Sequence, residues 1–196
     1  MAYKILLASN SPRRREILGL LRIPFTVITL EGIDESYPRD LEADKVSEYI
    51  SNKKADQFLK RIGDNDLVIT ADTVVICDEE ILGKPKGPED AIKMLKFLSG
   101  KTHKVTTGVT VATKEKRESF SSESYVTFAD LTEDEIRYYV DTFHPLDKAG
   151  AYGIQEWIGA VAVSKIDGSF YNVMGLPVHR LYQVLRNFKI FQFPHR

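Results

Sequence analysis

Short aliphatic and β-branched runs alternate along the chain with segments whose apolar positions recur every three or four residues. That alternation is the mark of strands interleaved with helices. Strand-like runs fall at 4–8, 25–30, 67–77, 104–113, 118–128 and 160–166. Between them, Ile17, Leu18 and Leu21, then Val46, Tyr49, Ile50 and Ala55 within 41–59, then Ala91, Met94, Leu95 and Leu98 fall at helical spacing. Ile136, Tyr139 and Val140 do so again, as do Val178, Leu181 and Leu185 in a last helix expected over 177–188. The pattern predicts an α/β chain.

Local signals sharpen the boundaries. Pro12 suits the first turn of a helix, where its missing N–H is not needed. The segment Gly83-Lys84-Pro85-Lys86-Gly87-Pro88 reads as a loop, after which Glu89 and Asp90 open a helix that Gly100 closes. Thr132 with Glu135 is a capping-box pattern, and His144-Pro145 ends the helix it starts. Asp167-Gly168, between two short apolar segments, predicts a hairpin turn. No repeat, low-complexity tract or Pro/Gly/Ser-rich linker divides the 196 residues, so one continuous domain is expected.

Hydrophobic residues at 43%, charged residues at 28% and a formal net charge of -1 are ordinary globular values. They argue against broad nucleic-acid or membrane attraction, so any cationic site must be local. A single cysteine, Cys77, rules out an intrachain disulfide and fits a reducing compartment. With no signal-peptide pattern and no apolar stretch near the roughly 20 residues that span a bilayer, a soluble cytoplasmic protein is expected.

Four stretches can carry chemistry. The run Ser9-Asn10-Ser11-Pro12-Arg13-Arg14-Arg15 puts hydroxyls, backbone donors and guanidinium groups at a helix start. It reads either as a phosphate site or as a capped helix with solvated arginines, and it lacks the glycines and Gly-Lys-Ser/Thr ending of a P-loop. Asp72 stands inside the apolar run 67–77, where a charge is costly unless it meets a metal, a cation or hydrogen-bond donors. Lys84 and Lys86 follow on a loop, either as plain surface or within reach of a phosphate. Asp147-Lys148-Ala149-Gly150-Ala151-Tyr152-Gly153-Ile154-Gln155 packs small residues around an aromatic and an amide, which suits a flat ligand or a tight turn.

One cysteine and four scattered histidines (His103, His144, His179, His195) give no zinc-type spacing. Carboxylates remain, the ligands magnesium and manganese prefer, with Asp72 and the pair Asp34-Glu35 as candidates; that pair also reads as an acidic loop. No Ser-His-Asp arrangement stands out by spacing, and Gly-x-Ser-x-Gly is absent.

Taken in order, 7–14, Ala71-Asp72-Thr73-Val74-Val75, Leu82-Gly83-Lys84-Pro85, 147–155 and Asn172-Val173-Met174-Gly175-Leu176-Pro177 closely resemble the Maf family of nucleoside triphosphate pyrophosphatases. The resemblance spans nearly the whole chain. It implies an elongated mixed sheet flanked by helices in two lobes with a central cleft, of the inosine-triphosphatase-like (Maf/Ham1) type. It further implies cleavage of a nucleoside triphosphate to monophosphate and pyrophosphate with a divalent cation, Mg2+ or Mn2+. On this mapping Asp72 takes the general-base position and, with Glu35, a place near the metal. Ser9, Arg14, Lys54 and Lys84 fall on phosphate-facing positions, with Lys53 beside Lys54. Arg13, Thr73 and Gln155 fall where the family sets base preference, in the combination of the dTTP/UTP branch. A homodimer is also an expectation of the resemblance. Glu156-Trp157, where small residues are more usual, and His144-Pro145, where Glu-Pro is common, are departures.

The base preference has a physical side. A uracil or thymine edge offers an acceptor at O4 beside a donor at N3, which one amide satisfies with two hydrogen bonds, and a flipped amide serves cytosine equally. Arg13 is donor-only, so directed at O4 it would face the cytosine amino group unpaired. Two other readings stand beside the dTTP/UTP one: a modified pyrimidine triphosphate as substrate, and the role in division or septum formation that the family's historical name implies.

Overall fold

The computed structural model describes residues 3–29 and 32–191. Leu30, at the end of the second expected strand, and His195 lie outside the described residues. Along the chain run β1 (Lys4–Ala8), α1 (Pro12–Gly19), β2 (Thr26–Ile28), α2 (Ala43–Leu59), β3 (Asp66–Cys77), β4 (Glu80–Leu82) and α3 (Pro88–Leu98). There follow β5 (Thr102–Ala112), β6 (Arg117–Phe128), α4 (Glu133–Phe143), a 3-10 turn at Ala149–Ala151, α5 (Trp157–Ala162), β7 (Val163–Asp167), α6 (Phe170–Val173) and α7 (Val178–Asn187). The strands form one mixed sheet in the order β2-β1-β3-β5-β6-β7, with β4 paired to β3. β1 runs parallel to both β2 and β3, so Ala8 lies between Ile28 and Thr70, while β4 on β3 and β7 on β6 are antiparallel.

By compactness the chain divides into two units: the described residues of Met1–Asp72, Thr107–Ser122 and Gly175–Arg196, and those of Thr73–Thr106 and Glu123–Met174.

In the first unit, Leu6, Ala8, Phe58, Ile62, Val68 and Ala112 form a buried apolar cluster. α2 approaches the sheet closely, because β5 presents Gly108: a Cβ there would stand 2.2–2.4 Å from the backbone of Ser47 and Glu48. So tight a contact leaves room only for small groups, and the seam is a row of hydroxyls. Ser51 Oγ lies 2.9 Å from Thr110 Oγ1, and Thr70 Oγ1 donates to the Ser51 carbonyl at 2.7 Å. Ser47, Ser51 and Lys54 follow one another at spacings of four and three along α2, so the face that meets the sheet also carries Lys54.

In the second unit, Leu95 and Leu98 of α3, Ile136, Tyr139 and Val140 of α4, and Ile158 and Ala162 of α5 are buried. The capping box forms as expected, with Thr132 Oγ1 accepting from the Glu135 N–H and Glu135 from the Thr132 N–H. His103, Phe128 and Tyr152 meet edge to face, with centroids 4.9–5.4 Å apart.

Three expectations need correction, and one strand lies outside them. The strand expected at 160–166 starts only at Val163, because α5 runs through Ala162; Gly159 lets that helix close on the turn before it, where a Cβ would stand 1.8 Å from the Ile154 carbonyl oxygen. Asp167-Gly168 makes no hairpin: β7 ends there, Gly168 takes φ +123°, and Ser169 caps α6 by accepting from the Asn172 N–H. β4 arises unannounced, since its turn uses Asp78 and Glu79, both at positive φ, where sequence reading looks for Asn-Gly. The second strand spans only Thr26–Ile28.

Candidate functional site

The first unit's site builds outward from the carboxyl ends of its parallel strands, the place where open α/β sheets hold their ligands. β1 stops at Ala8, and the chain turns at once into α1. Ser9 Oγ accepts from the Ser11 N–H at 3.2 Å, and Ser11, the N-cap, accepts from the Arg14 N–H. Pro12 opens the helix, and no acidic residue stands in the first turn. Arg13 and Arg14 occupy it instead, at the positive end of the helix, where cations are locally unfavourable. Such a turn stores demand for an anion.

Arg14 is held in place by donation from Nε to the Gly175 carbonyl at 2.8 Å, at the approach to α7. Burial lowers its pKa from the ordinary guanidinium value, and Asp72 and Glu35 oppose that shift while Arg13 adds to it.

The centre of the site is an ammonium between two carboxylates. Lys54 Nζ lies 2.8 Å from Asp72 Oδ1 and 2.8 Å from Glu35 Oε1. Lys54 is buried, Asp72 is 14% exposed and Glu35 is 46% exposed, so the arrangement opens on the Glu35 side. The cation whose presence a carboxylate in an apolar strand demands is therefore supplied eighteen residues upstream. Lys53 turns the other way: it donates to Asp34 Oδ2 at 2.6 Å and to the Ser36 carbonyl at 2.9 Å, and holds the Asp34 carboxyl well below the usual carboxylate range. Lys53 and Asp34 thus fasten the loop on which Glu35 stands.

Asp72 and Glu35 offer only oxygen, which fits a hard divalent cation of the magnesium type. No group of three or more His, Cys, Asp or Glu able to hold a metal occurs among the described residues. The remaining ligands of such an ion would have to come from water or from a bound phosphate.

In the second unit, Thr73 follows Asp72 on β3. Lys84 is exposed between β4 and α3, and its neighbour Gly83 accepts through its carbonyl from the Gly150 N–H at 3.1 Å. That bond joins the Lys84 loop to the 147–155 segment. Lys86 lies on the same loop, its N–H donating to Asp90 Oδ2 at 2.8 Å. Gln155 is exposed in a turn that the Glu156 N–H closes on the Gly153 carbonyl at 2.9 Å.

Sequence reading assigned no role to Lys148, Tyr139 or Glu156. Lys148, 7% exposed, sets its ammonium 2.7 Å from Asp147 Oδ1 and 3.1 Å from Glu156 Oε1. Tyr139 donates its hydroxyl to Glu156 Oε2 and accepts the Gly153 N–H at 3.0 Å. The one advance signal is Glu156 itself, a departure from the resemblance.

The molecule is thus an α/β protein with a carboxylate, ammonium and guanidinium constellation at the ends of parallel strands. A family model described as Maf-like protein matches residues 4–188, and the chain belongs to that Maf family. It is 53% identical to a protein of Bacteroides thetaiotaomicron named dTTP/UTP pyrophosphatase, over 94% of this chain and 95% of that one. A protein of the same name from Parabacteroides distasonis is 52% identical over 95% and 96% of the two chains. Among solved structures, it is similar to a HAM1 protein from Coxiella burnetii, with 13% identity, a TM-score of 0.46 and coverage of 94% and 99%. No helix among the described residues is long and apolar enough to cross a membrane.

Proposed function

We propose that this chain hydrolyses dTTP and UTP to the nucleoside monophosphate and pyrophosphate. Its membership of the Maf family and the names of relatives about half identical to it support this reading. The single structural observation that carries it is Lys54 between Asp72 and Glu35, beside a helix start crowded with arginines.

Attack of water on the α-phosphorus needs a base for the water proton and cations over the phosphate oxygens. Asp72 takes the proton. Arg14, Lys54 and Lys84 neutralise the phosphates and the departing pyrophosphate, and Ser9 adds a hydroxyl donor. Glu35 and Asp72 would hold a magnesium or manganese ion, which would supply Lewis-acid charge. Gln155, Arg13 and Thr73 set the preference for a uracil or thymine edge.

The test is pyrophosphate release from a panel of triphosphates, including methylated pyrimidines and pseudouridine triphosphate, in the presence of magnesium. Release led by dTTP and UTP, and reduced about a hundredfold or more by Asp72→Asn, is the expected result. No release from any substrate removes the enzymatic reading. Release led by a modified nucleotide replaces the substrate and keeps the chemistry.

A further inference from the structure

The turn that carries Gln155 is tied at three points. Its own backbone closes it, through the Glu156 N–H on the Gly153 carbonyl at 2.9 Å. The Glu156 carboxylate then accepts from the Tyr139 hydroxyl, and that hydroxyl oxygen accepts from the Gly153 N–H at 3.0 Å. Glu156 and Gly153 are therefore joined twice, once directly and once through a side chain of α4 that is fully buried.

The geometry depends on residue sizes as well as bonds. A Cβ on Gly153 would stand 2.7 Å from the Glu156 carboxyl carbon and 3.0 Å from Gln155 Nε2, so a side chain there would displace both ends from their present places. Lys148 balances the carboxylate from its other oxygen at 3.1 Å. An acid that is 19% exposed and carries both a cation and a phenol is too constrained to be a solvated surface residue.

We infer that Glu156 is a positioning residue for base selection: through Tyr139 and the Gly153 N–H it fixes the turn that presents the Gln155 amide. This rests on the proposal that Gln155 reads the base. The amide can flip about its own side-chain bond to serve either edge, so the part of the turn is to fix where the amide stands, and a turn free to rock would blunt any preference set by the groups fixed around the base. A clamp immediately after Gln155 removes that freedom. Lys148 serves the clamp by neutralising the carboxylate. The hydrogen bond, rather than the charge, does the positioning, since an amide at 156 can still accept from Tyr139.

The test compares wild type with Gln155→Ala, Glu156→Ala, Glu156→Gln and Tyr139→Phe, measuring kcat and KM for UTP and CTP, and hydrogen exchange at the Gly153 amide. Glu156→Ala and Tyr139→Phe should each lower the UTP-to-CTP ratio of kcat/KM about tenfold, chiefly by raising KM for UTP. Both should speed exchange at Gly153. Glu156→Gln should keep the ratio within about twofold of wild type. An unchanged ratio in Gln155→Ala ends the base-reading proposal and this inference with it. A changed ratio in Gln155→Ala beside an unchanged one in Tyr139→Phe and Glu156→Ala ends this inference alone. Equal losses toward UTP and CTP in the clamp variants reduce Glu156 to a structural role and also overturn it. Should Glu156→Ala fail to fold, Tyr139→Phe and Glu156→Gln decide the matter.

Discussion

Lys54 Nζ lies at the same 2.8 Å from Asp72 and from Glu35, one carboxylate largely enclosed and the other nearly half exposed. The ammonium therefore does two things at once: it makes a carboxylate tolerable in an otherwise apolar strand, and it draws in a loop residue to complete an acidic pair. Lys54→Ala should lower kcat/KM for UTP about a hundredfold or more, because charge over the phosphates is lost. Stability should fall by about 3–5 kcal/mol, because Glu35 can rehydrate but Asp72 is left as an uncompensated, largely enclosed charge. Steady-state kinetics and urea unfolding on the same preparation check both, and activity within about threefold of wild type would remove Lys54 from the reaction.

Arg13 is expected to separate uracil from cytosine, because a donor-only group meets an acceptor in one and an amino group in the other. Arg13→Ala should lower the UTP-to-CTP ratio of kcat/KM about tenfold while leaving the fold intact. A ratio equal to that of wild type would return Arg13 to the role of a general cation.

Gly108 sets the distance between α2 and the sheet. With Ser47 and Glu48 backbone atoms 2.2–2.4 Å from a Cβ at that position, Gly108→Ala must push the helix outward. The cost should be about 2–3 kcal/mol in urea unfolding. The displacement also carries Lys54, so kcat should fall with it. A variant as stable as wild type would show that α2 has slack.

The legible part of the fold is the part written in local chemistry. β1 ending at Ala8, Pro12 opening α1, the Thr132 and Glu135 box and the last helix near 177–188 all depend on residues within one turn of each other. Residues 160–162 were misread because an alternation of Ala and Val suits a buried strand and a buried helix equally, and the arbiter is the contact of Gly159 with the Ile154 carbonyl. Asp72 announced that it needed a partner but not which one. Lys53 and Lys54 are equal as sequence, and only the phase of α2 sends one to Asp34 and the other to Asp72. Lys148 has no separate signal in the sequence, and only the fold brings Glu156, eight positions on, to its ammonium.

His103 gives a pH dependence that can be isolated. It is 1% exposed, shares a 2.8 Å hydrogen bond with the Tyr152 hydroxyl, has no partner at Nδ1 among the described residues, and burial pushes its pKa from 6.5 down to about 4. Between those values the unfolded chain binds the proton and the folded chain does not. Stability is therefore lost as pH falls from about 6.5 to about 4, and the loss levels off below that, at about 3 kcal/mol. Urea unfolding across this window should show His103→Gln with a shallower slope than wild type. At pH 5 the pH-linked part of the difference should be about 2 kcal/mol.

The pairing of two consecutive acids with two consecutive lysines has a consequence for how this protein can change length. Asp34 answers Lys53 and Glu35 answers Lys54, a vernier with two teeth between a loop and a helix. Inserting or deleting one residue within α2 ahead of Lys53 would rotate both lysines by about 100° about the helix axis. Neither tooth would then engage, and Asp72 would lose its ammonium in the same event. A single-residue deletion in the first turns of α2 should therefore be as damaging as the loss of Lys54 itself.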